Sequence, residues 1–255
     1  MTTTNKSLRR ARVVTRRVTA GLIQHAAPAA ETLDAELKAE GEEPLVQAEH
    51  MRRLAELTQK RFDRYAQGQS SLGQDERETT EARSARDSAS GDLKTTLSQL
   101  GSVMRATYGQ SSTIQANLSG SVPSVSENLL SFARAFLDAT EGDYTLPEPT
   151  NPFATALDMA SARVRIEALT TTLERTMGAV EAEVRDDQSA RLKRDELFEA
   201  WEREVRFARD QARAMMVRAG QKELADRLLP TDNQILGVEP IDDPEEDEDP
   251  AVDGP

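Results

Sequence analysis

The sequence predicts an all-α protein: an elongated bundle of long helices or helical hairpins with coiled-coil-like packing. Apolar residues make up 37% of the 255 residues, aromatic residues 4% and charged residues 30%. That balance is typical of long helices with a narrow apolar seam and a large solvated surface. Between Pro152 and Pro230 there is no other proline, and apolar residues recur every three or four positions. This spacing puts them on one face of a helix.

The first 27 residues predict a basic amphipathic N-terminal arm. Apolar residues recur at helical spacing within it, and no acidic residue precedes Glu31. We expect either a solvated first helix, an anchor on an anionic membrane surface, a non-specific contact with a polyanion such as nucleic acid, or an organelle transit peptide. Its basic residues are Lys6, Arg9, Arg10, Arg12, Arg16 and Arg17.

The middle of the chain alternates helical patterns with turn-forming segments. A helix over 29–40 is expected to break between Gly41 and Pro44, and a new helix begins at Leu45. A short apolar helix follows over 124–141, capped by Ser124 or Ser126. A proline-containing linker then leads to Pro152.

A shift of 108 residues gives a self-match that predicts an internal duplication. Pro44 then falls on Pro152, Met51 on Met159, and Gly109 on Gly220 after a slip of three residues. The expected organisation is the arm 1–27, a helical unit 28–121, a second helical unit 122–230 and a disordered acidic tail 231–255.

Each expected unit contains a long element, 45–119 or 152–228, that is apolar at both ends and polar in the middle. A helical hairpin with an exposed polar tip explains this pattern, as does one straight helix of about 75 residues, near 110 Å long. The hairpin is the preferred interpretation. Both polar middles contain the motif A-R-x-x-R-D. At a hairpin tip this motif would present its arginines to the carboxylates or phosphates of a partner. Alternatively, its arginine and aspartate side chains pair with each other along a helix surface. The candidate tip residues are Arg83, Arg86, Asp87, Arg191, Arg194 and Asp195.

The last residues of the sequence are strongly acidic, with nine acidic side chains from Glu239 onward and no basic residue after Arg227. Such a run predicts a disordered tail that binds a basic partner, folds back over the basic arm, or only aids solubility. Residues 233–240 predict a docking peptide or a last turn packed on the bundle. The candidate partner contacts are Asp242, Asp243, Glu245, Glu246, Asp247, Glu248 and Asp249.

Chemistry-bearing residues are scarce: there is no cysteine, and His25 and His50 are the two histidines. No metal-binding, phosphate-binding or dinucleotide-binding motif occurs, so we expect no catalytic residues, cofactor, metal or small-molecule substrate. We also expect no transmembrane helix, because no run of about 18 apolar residues exists.

These patterns favour a non-catalytic scaffold or adaptor, or a self-assembling structural protein, that acts through protein–protein contacts. The alternative is a peripheral membrane or polyanion-binding protein that uses the basic arm. The expected compartment is the cytoplasm, or an organelle if the arm is a transit peptide.

Overall fold

A computed structural model of the chain describes residues 3–44, 46–142, 144–150 and 156–241. It confirms the all-α prediction, and the described residues contain no strand. The helices are α1 (Thr3–Gly21), a π-helical turn (Leu22–Ala26), α2 (Ala27–Ala39), α3 (Gln47–Tyr108), α4 (Gln110–Gln115), α5 (Ser126–Ala139), α6 (Met159–Arg218), α7 (Lys222–Leu228) and α8 (Asp232–Leu236).

The two long helices run through their polar middles, so the hairpin interpretation is wrong. α3 has 62 residues and α6 has 60, with no turn near 82–87 or 190–195. The reason is local, because the polar stretch of α6 from 185 to 195 contains no proline or glycine and is rich in helix-forming side chains. In α3, Gly68 and Gly73 are accommodated inside the helix.

The chain divides into two compact units that each contain a part of α3 and a part of α6. Unit 1 comprises residues 1–73 and 189–255, and unit 2 comprises residues 74–188. This division differs from the sequential units expected at 28–121 and 122–230. The difference arises because α3 and α6 do not reverse direction. Each long helix therefore contributes one half to the core of unit 1 and the other half to the core of unit 2.

Within each unit α3 and α6 are antiparallel. In unit 1 the Tyr65 ring of α3 stacks on the Trp201 ring of α6, with centroids 6.0 Å apart. In unit 2 the Thr79 hydroxyl donates to the Glu183 carbonyl oxygen at 3.5 Å, and the Tyr108 hydroxyl accepts from the Leu157 backbone N–H at 2.8 Å. Later residues of α3 therefore meet earlier residues of α6.

Each unit has its own apolar core. In unit 1, side chains from α1, α2, α3, α6, α7 and α8 form one cluster, and Leu22, Met51 and Trp201 are fully buried in it. In unit 2, α5 packs against α3 and α6, with Leu97 and Phe136 fully buried. Two small cores suit a chain with few apolar residues, because each helix buries only one stripe.

A glycine with positive φ follows each long helix. Gly109 comes directly after α3 with φ 85°, and Gly220 comes two residues after the end of α6 with φ 75°. Glycine has no Cβ and therefore reaches positive φ at low cost, whereas other residues rarely do. A short helix then follows in each case, α4 or α7. The internal duplication itself stays a prediction.

The predicted cap of α5 is wrong. The residue that precedes the helix is Val125, which makes no side-chain capping bond. Ser126 instead lies inside the first turn, and its hydroxyl is 2.8 Å from the Ser90 hydroxyl of α3. Ser126 therefore links α5 to α3.

The continuity of α6 predicts opposite effects for two substitutions at Ser189, which is exposed in the polar middle. Ser189→Pro should lower the stability of the helix by about 3 kcal/mol, because proline removes a backbone donor and clashes with the preceding turn. Ser189→Ala should be neutral or raise stability by a few tenths of a kcal/mol, about the difference in helix propensity. Urea unfolding followed by far-ultraviolet circular dichroism measures both. A proline variant as stable as the parent chain would mean that the chain turns here.

Candidate functional site

The N-terminal basic residues lie on α1, which is part of unit 1. Lys6, Arg9 and Arg12 are exposed, whereas Arg10, Arg16 and Arg17 are half-buried. These three exposed side chains give the solvent-facing side of α1 a positive charge. The six cations thus belong to a folded helix.

The opposite side of α1 is buried in the unit 1 core. Val14, Val18 and Leu22 have no exposed surface, and Thr15 is 1% exposed. The Trp201 indole N–H of α6 donates to the Thr15 hydroxyl at 2.9 Å, and that hydroxyl donates to the Ala11 carbonyl oxygen at 2.8 Å. The apolar face that a membrane-surface helix would insert into lipid is therefore occupied by protein.

An aromatic cluster fills the space beneath α1. The ring centroid of Phe198 lies 5.4 Å from the ring centroid of Tyr65 and 5.5 Å from that of Trp201. The Tyr65 hydroxyl is 3.2 Å from the Ser7 hydroxyl of α1. Since Trp201 is completely buried, the rings form packed core rather than a surface on which a ligand stacks.

A buried arginine holds the C-terminal helices of unit 1. Arg209 of α6 is 9% exposed. Its guanidinium donates to Asp210 at 2.7 Å and to Asp232 of α8 at 2.8 Å. A charged group at this depth needs such partners, because an unpaired charge is costly to bury.

These partners shift two pKa values. The hydrogen bond from Arg209 lowers the pKa of Asp232, against a smaller opposing effect of desolvation. For Arg209, desolvation lowers the pKa, but the carboxylates of Asp232 and Asp210 together outweigh it and leave the pKa raised. Both groups are therefore held in their charged forms.

A pocket of about 330 Å³ lies beside this ion pair. Two arginines and two aspartates line it, and the second arginine is also paired, because Arg213 donates to Asp226 at 2.5 Å. The formal charges of the lining cancel, so the pocket does not select an anion or a cation by net charge. Its charged residues are Arg209, Arg213, Asp226 and Asp232.

The segment after α7 is docked on the core. Ile235 is fully buried, and Ile241 packs against the same cluster. Thr231 and Gln234 form a reciprocal capping box at the start of α8. Within 233–240, Ile235 packs on the bundle, whereas Leu236 and Val238 are exposed. The T-x-x-Q pattern at 231–234 is the sequence signal that indicates this helix start.

The same segment contacts the basic helix. Gly237 ends α8 with φ 76°, and a side chain at this position would collide with the guanidinium of Arg10. Sequence reasoning missed this contact, the Arg209–Asp232 pair and the Thr15–Trp201 bond. All three join residues that are far apart in the chain.

The two A-R-x-x-R-D segments lie in helix interiors, so their six candidate residues are not hairpin tips. In each segment the first arginine and the aspartate are exposed and the second arginine is half-buried. The second arginine pairs with the next residue at 2.6 Å, Arg86 with Asp87 and Arg194 with Asp195. Exposed pairs of this kind contribute little stability, with a median of about 0–1 kcal/mol. Arg83 and Arg191 are the exposed first arginines.

The seven acidic candidates from Asp242 to Asp249 lie outside the described residues. Within the described ranges, no three His, Asp or Glu side chains are grouped to hold a metal ion. Among the described helices, none combines the length and the hydropathy that a membrane span requires. Comparison with known proteins found no matching family model, no similar curated protein and no similar solved structure.

The buried indole predicts a specific cost for removing its acceptor. Thr15→Val keeps the shape but leaves the Trp201 N–H without a partner, so it should lower the free energy of unfolding by about 1–3 kcal/mol. Thr170→Val in α6 is the matched control, since the Thr170 hydroxyl is also buried and bonds the carbonyl four residues earlier. Among the described residues, no side-chain donor bonds to the Thr170 hydroxyl, so Thr170→Val should lower the free energy of unfolding by less than Thr15→Val does. Equal losses in urea unfolding would contradict the role given to Thr15.

The lowered pKa of Asp232 predicts a pH-dependent contribution to stability. Its folded-state pKa lies below the unfolded value of about 3.9, so the stabilisation is present at neutral pH and is lost as the pH falls through the folded-state pKa. Asp232→Asn should therefore destabilise unit 1 at pH 7 by up to about 1 kcal/mol, because the carboxylate is largely exposed. The difference should shrink below about pH 4. Urea unfolding at several pH values measures it, and a difference that is independent of pH would contradict the assignment.

Proposed function

We propose that the chain is a non-catalytic helical scaffold or adaptor that acts through protein–protein contacts. The observation that carries this proposal is a half-covered helix seam in unit 2. No residue of α6 from 174 to 188 is buried, although Met177, Val180 and Val184 recur at helical spacing and are each half-buried. The seam lacks a second helix that would cover these apolar side chains.

The opposing part of α3 explains why the seam is incomplete. From 74 to 88, Thr79 is the one buried residue of α3, and its neighbours are mostly charged or hydroxyl-bearing. α5 packs on the other half of the unit, where Leu93, Leu97 and Leu173 are fully buried. α5 reaches the start of the seam, where Arg134 pairs with Glu174 at 2.7 Å and Met177 packs against the core. Val180 and Val184 lie beyond this core cluster.

A partner helix laid along this seam would remove the remaining apolar surface from water. Burial of apolar surface stabilises an association by roughly 25 cal/mol per Å² before the costs of ordering. Helices commonly recognise such a stripe through side chains at positions i, i+3, i+4 and i+7. The occupant we propose is an amphipathic helix, from a protein partner or from a second copy of this chain.

The internal duplication belongs to the same proposal. Its support is the shared order of elements: a long helix, a glycine with positive φ, and a short helix, found at both 47–115 and 159–228. A duplicated helical unit is a simple origin for a protein whose surface consists mainly of helix faces.

A second candidate function, polyanion binding, has its own support in α1. Lys6, Arg9 and Arg12 are exposed on a helix that has no acidic residue. Phosphate contacts need only such exposed cations. The membrane alternative is less favoured, because insertion would require α1 to leave the core of unit 1.

The scaffold proposal predicts protection of the seam on association. The chain has no cysteine, so a single cysteine introduced by Val180→Cys or by Val164→Cys serves as a probe. Both positions lie on α6, and Val164, which is 67% exposed, is the control. In the complex, alkylation should slow several-fold at position 180, since a helix would cover it, and stay unchanged at position 164. Light scattering after size exclusion identifies the self-associated or partner-bound species.

Two results would overturn the proposal. One is a chain that stays strictly monomeric and captures no protein in a pull-down. The other is an assembly in which positions 180 and 164 are protected equally.

A further inference from the structure

We propose that the pocket between α6, α7 and α8 binds a small zwitterion with an aliphatic side chain, of the α-amino acid class. Such a molecule carries a carboxylate, an ammonium group and an apolar body, and the lining of the pocket offers a partner for each. The pocket lies in unit 1, whereas the seam of the scaffold proposal lies in unit 2. The binding site is therefore independent of that proposal.

The pocket is formed by three helices and the segment that joins the last two. Arg209 and Arg213 come from α6, one helical turn apart, and Asp226 comes from α7. The chain from Leu229 to Asp232, which leads from α7 into α8, closes it. The volume of about 330 Å³ lies within the range of roughly 300–1,000 Å³ that is common for small-molecule sites.

Contacts within the protein hold the walls of the pocket in place. Arg209 is 9% exposed, and its bonds to Asp210 and Asp232 tie α6 to α8. Thr231 and Gln234 cap each other at the start of α8. A preformed site loses little conformational freedom when a ligand binds, so a small molecule does not have to order it.

The charged side chains of the lining retain unused hydrogen-bonding capacity. An arginine has five N–H donors. Arg209 uses three of them, on Asp210 and Asp232, and Arg213 uses one, on Asp226. Among the described residues, no donor bonds to the Oδ2 atom of Asp226 or of Asp232. The side chains of Arg213, Asp226 and Asp232 are 54%, 42% and 62% exposed, so a ligand can reach them.

The balance of charge favours a ligand that carries both signs. Two guanidinium groups and two carboxylates line the pocket, so their formal charges cancel. A simple anion would lie close to both carboxylates, and a simple cation would lie close to both guanidinium groups. A zwitterion places its carboxylate on the guanidinium donors and its ammonium group on the aspartate oxygens. Charge-assisted hydrogen bonds of this kind are about twice as strong as neutral ones.

The rest of the lining is mainly apolar. Ala225, Leu229 and Pro230 are buried residues that border the pocket. An aliphatic side chain that packs on them is removed from water, which is favourable. The lining therefore favours leucine over glycine.

The direct test titrates the full chain with L-leucine and with two molecules that each lack one of its charges. 4-Methylpentanoate is leucine without the amino group, and 3-methylbutylamine is leucine without the carboxylate. In nuclear magnetic resonance of the ¹⁵N-labelled chain, leucine should shift the amide signals of Asp226, Thr231 and Asp232. Its dissociation constant should be at least about tenfold below that of either control, because each control loses one charge-assisted contact. Leucine that binds no more tightly than the controls, or that leaves these signals unshifted, overturns the proposal.

Charge variants at the exposed Arg213–Asp226 pair test the site and leave the buried Arg209 intact. Arg213→Gln changes the formal charge of the lining from zero to −1. It should weaken leucine binding about tenfold and make the amine bind more tightly than the acid. Asp226→Asn changes the charge to +1 and should weaken leucine to a similar extent, with the opposite preference between the two controls.

The matched control removes another exposed ion pair of unit 1. The double variant Glu49→Gln, Arg53→Gln eliminates a pair on α3 and should leave every affinity unchanged. Circular dichroism checks that each variant keeps the helix content of the parent chain. Leucine affinity that is unchanged in both pocket variants, or that falls equally in the α3 variant, overturns the assignment of the site.

Discussion

Unit 1 depends on the burial of the Trp201 indole between α3 and α1. An indole at this depth needs an acceptor for its N–H, and the Thr15 hydroxyl of α1 is that acceptor. The bond fixes which side of α1 faces the core, because Val14 and Val18 lie on the same side as Thr15. The orientation of the basic side chains toward solvent is a consequence of this one buried contact and the packing around it.

The C-terminal helices of unit 1 complete the same core from another direction. Ile235 and Leu229 add apolar surface to it, and Arg209 reaches Asp232 to hold α8 in place. Gly237 then brings the chain against Arg10. As a result, Arg10 of α1 and Gly237 after α8 are neighbours in the folded unit although they lie near opposite ends of the sequence.

The sequence predicts the all-α class because helices follow from local patterns. The break before α3 and the apolar stripe of α6 are read from spacing and from single residues, whereas the second long element, expected to run to 228, ends as a helix at Arg218. The continuity of α6 through 185–195 is harder to predict, since a polar stretch is compatible with both a helix tip and an exposed helix middle. The role of α1 is harder still, because an apolar face looks the same whether lipid or protein covers it. The Thr15–Trp201 bond joins distant residues and has no local signal.

Helix α1 is an integral part of the folded core of unit 1 rather than a detached basic arm. Hydrogen exchange of backbone amides, followed by mass spectrometry on the intact chain, tests it most directly. Peptides covering Ala11–Gly21 of α1 and Trp201–Ala212 of α6 should exchange with similar, strong protection, because both are buried in one cluster. Complete exchange of the α1 peptide within seconds, while the α6 peptide stays protected, would contradict it.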